Sequence, residues 1–232
     1  MIRILGVIPA RGGSKGIKRK NIKNIAGKPL IQWTIDVAKK SNYITELVVS
    51  TEDSEIASLS LELGATVPFL RPDSLANDDS KTIDVVNYVV DRLESEYNKY
   101  FDYIIILQPT SPLRTLSHIN EAIQMILNDK SADSLVSCIK VPHIFHPDSI
   151  MMLNEKNYLE NFTLDKTLPS RRQDKSTLFA RNGAAIYITK RNKIKDFIFG
   201  GNLLCYEMPI ECSIDIDDIE DFVTAEKYLL NR

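Results

Sequence analysis

No apolar run in this chain approaches the roughly 20 residues of a membrane-spanning helix, and no signal-peptide pattern opens it. The chain is therefore expected to act in the cytoplasm, without a membrane partner. Cysteine is scarce. Cys138, Cys205 and Cys212 are an odd set with no C-x-x-C spacing, which argues against a disulfide framework and against a structural zinc site. Net charge is nearly absent at −2, so no global field favours nucleic acid and any anion site must be local. Neither the G-x-x-x-x-G-K-[ST] phosphate loop nor the dinucleotide G-x-G-x-x-G is present. Of the histidines, His143 and His146 lie three apart on a proline-flanked stretch rather than a helix, a poor metal pair. No Ser-His-Asp or Cys-His set offers a covalent nucleophile.

One local absence points the other way. No acidic residue precedes Asp36, and within that span IPARGGSKGIKRKN, residues 8–21, crowds Arg11, Lys15, Lys18, Arg19 and Lys20 around three glycines. The mirror image occurs near the end, where no Lys or Arg falls between Asp196 and Glu226 while SIDIDDIED supplies carboxylates.

At 232 residues and 44% hydrophobic, the composition is that of a soluble globular chain, with length for one domain and a sizeable core. Strand-like and helix-like patterns alternate. IRILGVI, ELVVS, YIIIL, SLVSCIKV, AAIYIT and LLCYEMPI read as strands. ATVPFL reads as one more, at an edge because of Pro68. Helical spacing marks Ile31, Ile35 and Ala38; Ile56, Leu59 and Leu63, stopped by Gly64; Ile83, Val86, Val90 and Leu93; Ile119 through Leu127; and Ile219–Leu230. Trp33 reads as core. Such alternation predicts a mostly parallel sheet covered on both faces. Residues 143–180 break the rhythm. They are polar and too long for a plain loop, and are expected to form an arm or small hairpin reaching a partner subunit.

Ligands of open parallel sheets bind at the carboxyl ends of the strands. The segments there are RGGSKGIKRKN, TED, RPDSLANDDS, QPTSPLR and DIDD, which this architecture gathers on one rim. In the first, Gly12, Gly13 and Gly16 would let backbone N–H groups approach a phosphate, and Lys18–Lys20 read as a solvated part of the turn. Asp215 and Asp217 share a face if extended, and two such carboxylates suit Mg²⁺, which fills its shell with phosphate oxygens and water. The alternative is that Asp217 or Asp218 caps the last helix. QPTSPLR offers Gln108, Thr110, Ser111 and Arg114 as donors; it equally suits a rigid turn whose Thr115 or Ser117 caps the next helix.

Taken together and in order, IPARGGSKGIKRKN, VVSTED, LRPDSLANDDS, LQPTSPLR, NGAAIYI and SIDID resemble the acylneuraminate cytidylyltransferases, the CMP-sialic acid synthetases, over nearly the whole chain. The resemblance implies one cytidylyltransferase domain, residues 1–232, built as a three-layer, mostly parallel open sheet of nucleotidyltransferase (Rossmann-like) type. Residues 143–180 would be its dimerisation arm and a homodimer its working state. It implies Mg²⁺-dependent transfer of CMP from CTP to the anomeric hydroxyl of a nine-carbon α-keto sugar acid, N-acetylneuraminic acid or a relative such as legionaminic acid, with release of pyrophosphate. By similarity, Arg11 and Lys15 would contact phosphates and act in catalysis with Asp215. Gly13, Ser14, Asn21, Arg71 and Ser80 would bind the nucleotide. Gln108, Ser111, Arg172 and Asn182 would meet the sugar acid, and Asp215 and Asp217 the metal. The chain departs from the family's frequent Arg-Pro-Asn-Gly by reading Ala180-Arg181-Asn182-Gly183, which is expected to turn Arg181 away from the sugar. A GT-A type glycosyltransferase with a D-x-D metal site, and a non-catalytic nucleotide sensor, are the alternatives.

Overall fold

The computed structural model describes residues 2–14, 16–162, 176–183 and 185–232. Among the described residues the strands and α-helices follow in the order β1 (Ile4–Pro9), β2 (Asn24–Ile25), β3 (Lys28–Pro29), α1 (Leu30–Ala38), β4 (Glu46–Ser50), α2 (Ser54–Glu62), α3 (Thr82–Tyr97), β5 (Tyr103–Ile106), α4 (Leu116–Asn128), β6 (Ser134–Lys140), β7 (Met151–Leu153), β8 (Leu159–Asn161), β9 (Phe179–Arg181), β10 (Tyr187–Lys190), β11 (Leu203–Glu207) and α5 (Ile219–Leu230).

The main sheet runs β11-β6-β10-β5-β1-β4, with β9 also on β6. β1 pairs in parallel with β4 and β5, and β11 with β6. β10 is antiparallel to both β5 and β6, so β6 and β11 point the same way as β1. The sheet is therefore mixed, with β9 and β10 reversed. Those two lie along the same side of β6, Tyr187 opposite Val136 and Arg181 opposite Cys138, and form one interrupted strand.

The central strands bury both faces, which is why they read as unbroken apolar runs. Ile4 and Ile8 of β1 and Ile105 of β5 face α1, α2 and α4, where Ile31, Ile35, Ile56, Ile119 and Ile123 meet them. Leu5, Val7, Ile104 and Ile106 face α3 and its Val86, Val89, Val90 and Leu93. Helix ends follow the local chemistry. Asp53 caps α2 through the N–H groups of Glu55 and Ile56, Thr115 caps α4, and Gly64 at φ +81° ends α2.

A third, smaller core decides where the charges go. Ile17 from the basic loop, Ile25 and Leu30 from the β2–β3 hairpin region, Leu113, Ile216, and Phe222, Ala225 and Leu229 of α5 pack together at the strand-end rim. Their burial brings the basic loop and the acidic segment against each other although some 200 residues separate them in the chain.

Three expectations for the elements fail. ATVPFL makes only an isolated bridge, Thr66 to Val48, because Pro68 withholds an N–H from any longer ladder. Ser213 and Ile214 are not in a strand; residues 213–217 are irregular backbone between a 3₁₀ turn and α5. AAIYIT enters the ladder only at Tyr187. Within residues 143–180, the described part holds the β7–β8 hairpin, while residues 163–175 lie outside the described residues.

Candidate active site

At the carboxyl ends of β1, β4 and β5 opens a cavity of about 420 Å³. Its wall includes Arg11, Ser14, Lys20, Asn21, Arg71, Ser80, Gln108, Asp215 and Asp217. Gly13 lies beside it, in a shallower recess shared with Arg11 and Ser14. Lys15 and Arg172 fall outside the described residues. Ser111, Asn182 and Arg181 are not among the described residues of the wall.

Most of the loop's positive charges have partners. Nη1 of Arg11 donates to Oδ1 of Asp78 at 2.8 Å, and both side chains are partly exposed. Arg19, at φ 56°, turns back onto Asp53 and Glu55 at the start of α2. That pairing holds the Asp53 carboxyl below its ordinary range. Lys18 is exposed. Lys20 is not the solvated residue that the sequence suggested. Its side chain is only 13% exposed, Nζ donates to the carbonyl of Ile216 at 2.6 Å, and Oδ1 of Asp217 is 3.8 Å away. The reason is Ile17, whose burial in the third core pulls the following turn inward. Nothing in the spacing of three consecutive basic residues distinguishes the one that turns in.

The glycines also serve differently from the expectation. At Gly16 a Cβ would overlap the carbonyl oxygen of Asp217, and at Gly12 the carboxylate of Asp53; around Gly13 there is open space. Gly12 and Gly16 thus permit close packing of the loop on acidic segments. The Gly12 N–H is taken by Oε1 of Glu52 at 2.6 Å. Asn21 closes the loop, its Nδ2 donating to the Arg11 carbonyl at 2.8 Å.

The acidic segment is held from three sides. The Ile216 N–H donates to the Thr110 carbonyl at 2.9 Å, Lys20 takes the Ile216 carbonyl, and the Asp217 N–H donates to Oδ2 of Asp221 at 3.0 Å. Asp218 caps α5 in a reciprocal pair with Asp221, leaving Asp217 exposed at the cavity. Asp215 is half-buried, and its Oδ1 has no hydrogen-bond partner among the described residues. Burial raises its pKa, with a hydrogen bond from the Thr110 side chain opposing and the charge of Asp217 adding to the rise. A partly dehydrated carboxylate with an orphaned oxygen beside a second carboxylate suits a divalent cation. Among the described residues no group of three or more His, Cys, Asp or Glu could hold a metal, so a cation here would complete its shell with ligand oxygens and water.

Behind the wall, the remaining expected residues serve as supports. Asn182 is buried; its Nδ2 donates to Oγ of Ser213 at 2.8 Å, and its Oδ1 accepts from Ser137 at 2.7 Å. Ser111 is fully buried, its Oγ without a partner among the described residues. Arg181 lies with its guanidinium 4.5 Å from the centre of the Phe199 ring. Arg114 is 1% exposed and donates to Ala185 O, Gln108 O and Thr34 Oγ1. Burial pushes its pKa down to about 9, so it stays cationic at neutral pH, with Asp215 the favourable charge.

Lys20 gives a direct test of this geometry. Lys20→Ala should lower kcat/KM about 10²- to 10³-fold, the scale of losing one preorganised electrostatic contact. Lys18→Ala should stay within about twofold, as expected for a screened surface charge. Equal effects in steady-state assays would show that the loop register is wrong.

The family model described as cytidylyltransferase matches residues 5–208. The chain is 32% identical to the pseudaminic acid cytidylyltransferase of Campylobacter jejuni, over 96% of this chain and 94% of that one. It is 35% identical to the CMP-N,N'-diacetyllegionaminic acid synthase of Legionella pneumophila, over 98% and 97%. An N-acylneuraminate cytidylyltransferase of Escherichia coli is 32% identical over 96% of this chain and 51% of its own length. Among solved structures, a CMP:2-keto-3-deoxy-manno-octonic acid synthetase complexed with CTP aligns over 99% of both chains at a TM-score of 0.72 and 17% identity, a likeness of fold.

Proposed function

Since the chain belongs to the cytidylyltransferase family, we propose that its rim cavity binds CTP and a nine-carbon α-keto sugar acid and joins them into a CMP-sugar, with release of pyrophosphate. The observation that carries this reading is one cavity whose wall holds Arg11, Lys20 and Arg71 together with Asp215 and Asp217. The acceptor class follows from the relatives, whose names specify pseudaminic, diacetyllegionaminic and acylneuraminic acids.

In this reading the sugar's anomeric hydroxyl attacks the α-phosphorus in line, and the chain's task is positioning and charge stabilisation. Arg11 exchanges Asp78 for phosphate oxygens. Lys20 and Lys15 offset charge that grows on the pyrophosphate leaving group. Gln108, on the cavity wall, orients the acceptor. Asp215 and Asp217 would hold Mg²⁺, which supplies charge neutralisation at the phosphate oxygens.

Partnership with a second copy belongs to the same reading. Ile144, Phe145, Met151, Met152, Leu153, Tyr158, Leu159 and Phe162 are all exposed around the β7–β8 hairpin, more apolar surface than a solitary protrusion tolerates. A homodimer covers it. Sedimentation at micromolar concentration should give a dimer; a fully active monomer would remove the arm from the mechanism.

The test is a pyrophosphate-release screen with Mg²⁺, the four NTPs and eight- and nine-carbon keto acids. Release with CTP and a nine-carbon acid is expected. Turnover of a nucleotide-sugar without pyrophosphate would favour a GT-A glycosyltransferase instead, and tight CTP binding with no turnover a sensor.

A further inference from the structure

Glu52 follows β4 at the point where the basic loop meets the segment after residue 70. We propose that it is a positioning residue for the nucleotide, acting through Arg71 and the backbone of Gly12; this rests on the reading that the cavity binds CTP. The two carboxylate oxygens divide the work. Oε1 accepts the Gly12 N–H at 2.6 Å, and Oε2 accepts from Nε and Nη2 of Arg71 at 3.1 and 2.8 Å. The Arg71 N–H donates to the Thr51 carbonyl at 3.0 Å, so backbone and side chain are both fixed to the end of β4. Arg71 is 5% exposed and still lines the cavity. With Nε and Nη2 held by Glu52, Nη1 is, among the described residues, the nitrogen left for a ligand.

Charge makes this arrangement necessary. Arg11, Lys20 and Arg71 share one wall, and a loose guanidinium among them would swing towards any phosphate. Glu52 neutralises Arg71 and aims it, leaving Arg11 and Lys20 to the triphosphate. Through Gly12 the same carboxylate sets how far the loop bearing Arg11 and Ser14 stands from Arg71. One side chain thus fixes the spacing between the two sides of the nucleotide site, and none of its oxygens needs to touch the nucleotide.

Glu52→Gln separates the roles. The amide keeps an acceptor for Gly12, but its NH₂ opposes the Arg71 donors or its single oxygen must leave one partner. Expected are a KM for CTP and a calorimetric Kd for CTP without acceptor both raised about tenfold or more, the loss of a charge-assisted pair. The KM for the sugar acid and kcat should stay within about threefold. Glu52→Asp keeps the charge but cannot span both partners, so it should weaken CTP in the same way; it is the variant to read if Glu52→Gln does not fold. A purely structural role would lower the melting temperature and leave CTP affinity alone, which overturns the proposal. Wild-type protein that binds CTP equally with either variant overturns this inference alone. Wild-type protein that binds no CTP overturns the reading beneath it as well.

Discussion

Asp215→Asn should reduce turnover by about two to four orders of magnitude while making the unliganded protein more stable. The two effects come from the same atoms. Asp215 is half-buried beside Asp217, its Oδ1 has no partner, and burial lifts its pKa above the ordinary aspartate value. A folded-state pKa above the unfolded one means that the folded form holds its proton longer. Stability therefore falls as pH rises from the ordinary carboxylate range through the raised value, and stays lower above it. Asparagine has the same shape and no charge. Its advantage in a melting experiment should be nil in strong acid, open across that window and remain constant to neutral pH. The shape matters because Gly183, at φ +69°, packs directly on Oδ2, where even a Cβ would overlap. Asp217 is exposed, so Asp217→Asn should impair turnover with little change in stability. Near-normal turnover in both variants would end the metal assignment. A destabilised Asp215→Asn would mean that the carboxylate is compensated in the folded state, against its orphaned oxygen.

The strands and helices were legible where one physical signal dominated. β1, β4 and β5 are buried on both faces, and their apolar runs could be little else. α4 shows its helical spacing because Ile119, Ala122, Ile123 and Ile126 all face one core. The reversed β10 was not legible, since a short apolar strand reads alike in either direction. The rim segments were legible as a group, and the cavity gathers Arg11, Ser14, Asn21, Arg71, Ser80, Gln108, Asp215 and Asp217. What escaped was the division of labour inside the group. Lys20 and Arg19 are neighbours of like charge, and tertiary packing alone sends one to Ile216 and the other to Asp53. Asn182 carries a polar side chain next to a glycine, a combination that fits a ligand contact and a buried strut equally well; its side chain hydrogen-bonds Ser137 and Ser213. Glu52 is one acid in a short polar triplet, and its role depends on two segments remote in sequence.

Arg114→Ala should be the most destabilising single change considered, by about 3–5 kcal/mol in urea unfolding. Two losses add and one gain offsets them. The long side chain is fully buried, so truncation leaves a cavity on the scale of the large-to-small core substitutions. Its guanidinium also satisfies Ala185 O, Gln108 O and Thr34 Oγ1, from three separate parts of the fold, and each orphaned acceptor costs about 1–3 kcal/mol if water cannot reach it. Against this, burying the charge is itself unfavourable, as its lowered pKa and unpartnered Nε indicate. Arg114→Met tests which side prevails. It restores most of the volume and removes the charge, so only the orphaned acceptors remain, and the loss should shrink to about 1–3 kcal/mol. Activity should fall in both variants, because the Arg114 fork fixes the carbonyl of Gln108, whose side chain lines the cavity, and the carbonyl of Ala185, two residues beyond Gly183, which abuts Asp215. The defect should appear first in the KM for the sugar acid. If Arg114→Met proved as stable as wild type and unchanged in KM, the buried fork would be no more than volume, and the turn after β5 would be held by its prolines and by backbone hydrogen bonds such as Ile216 N–H to the Thr110 carbonyl.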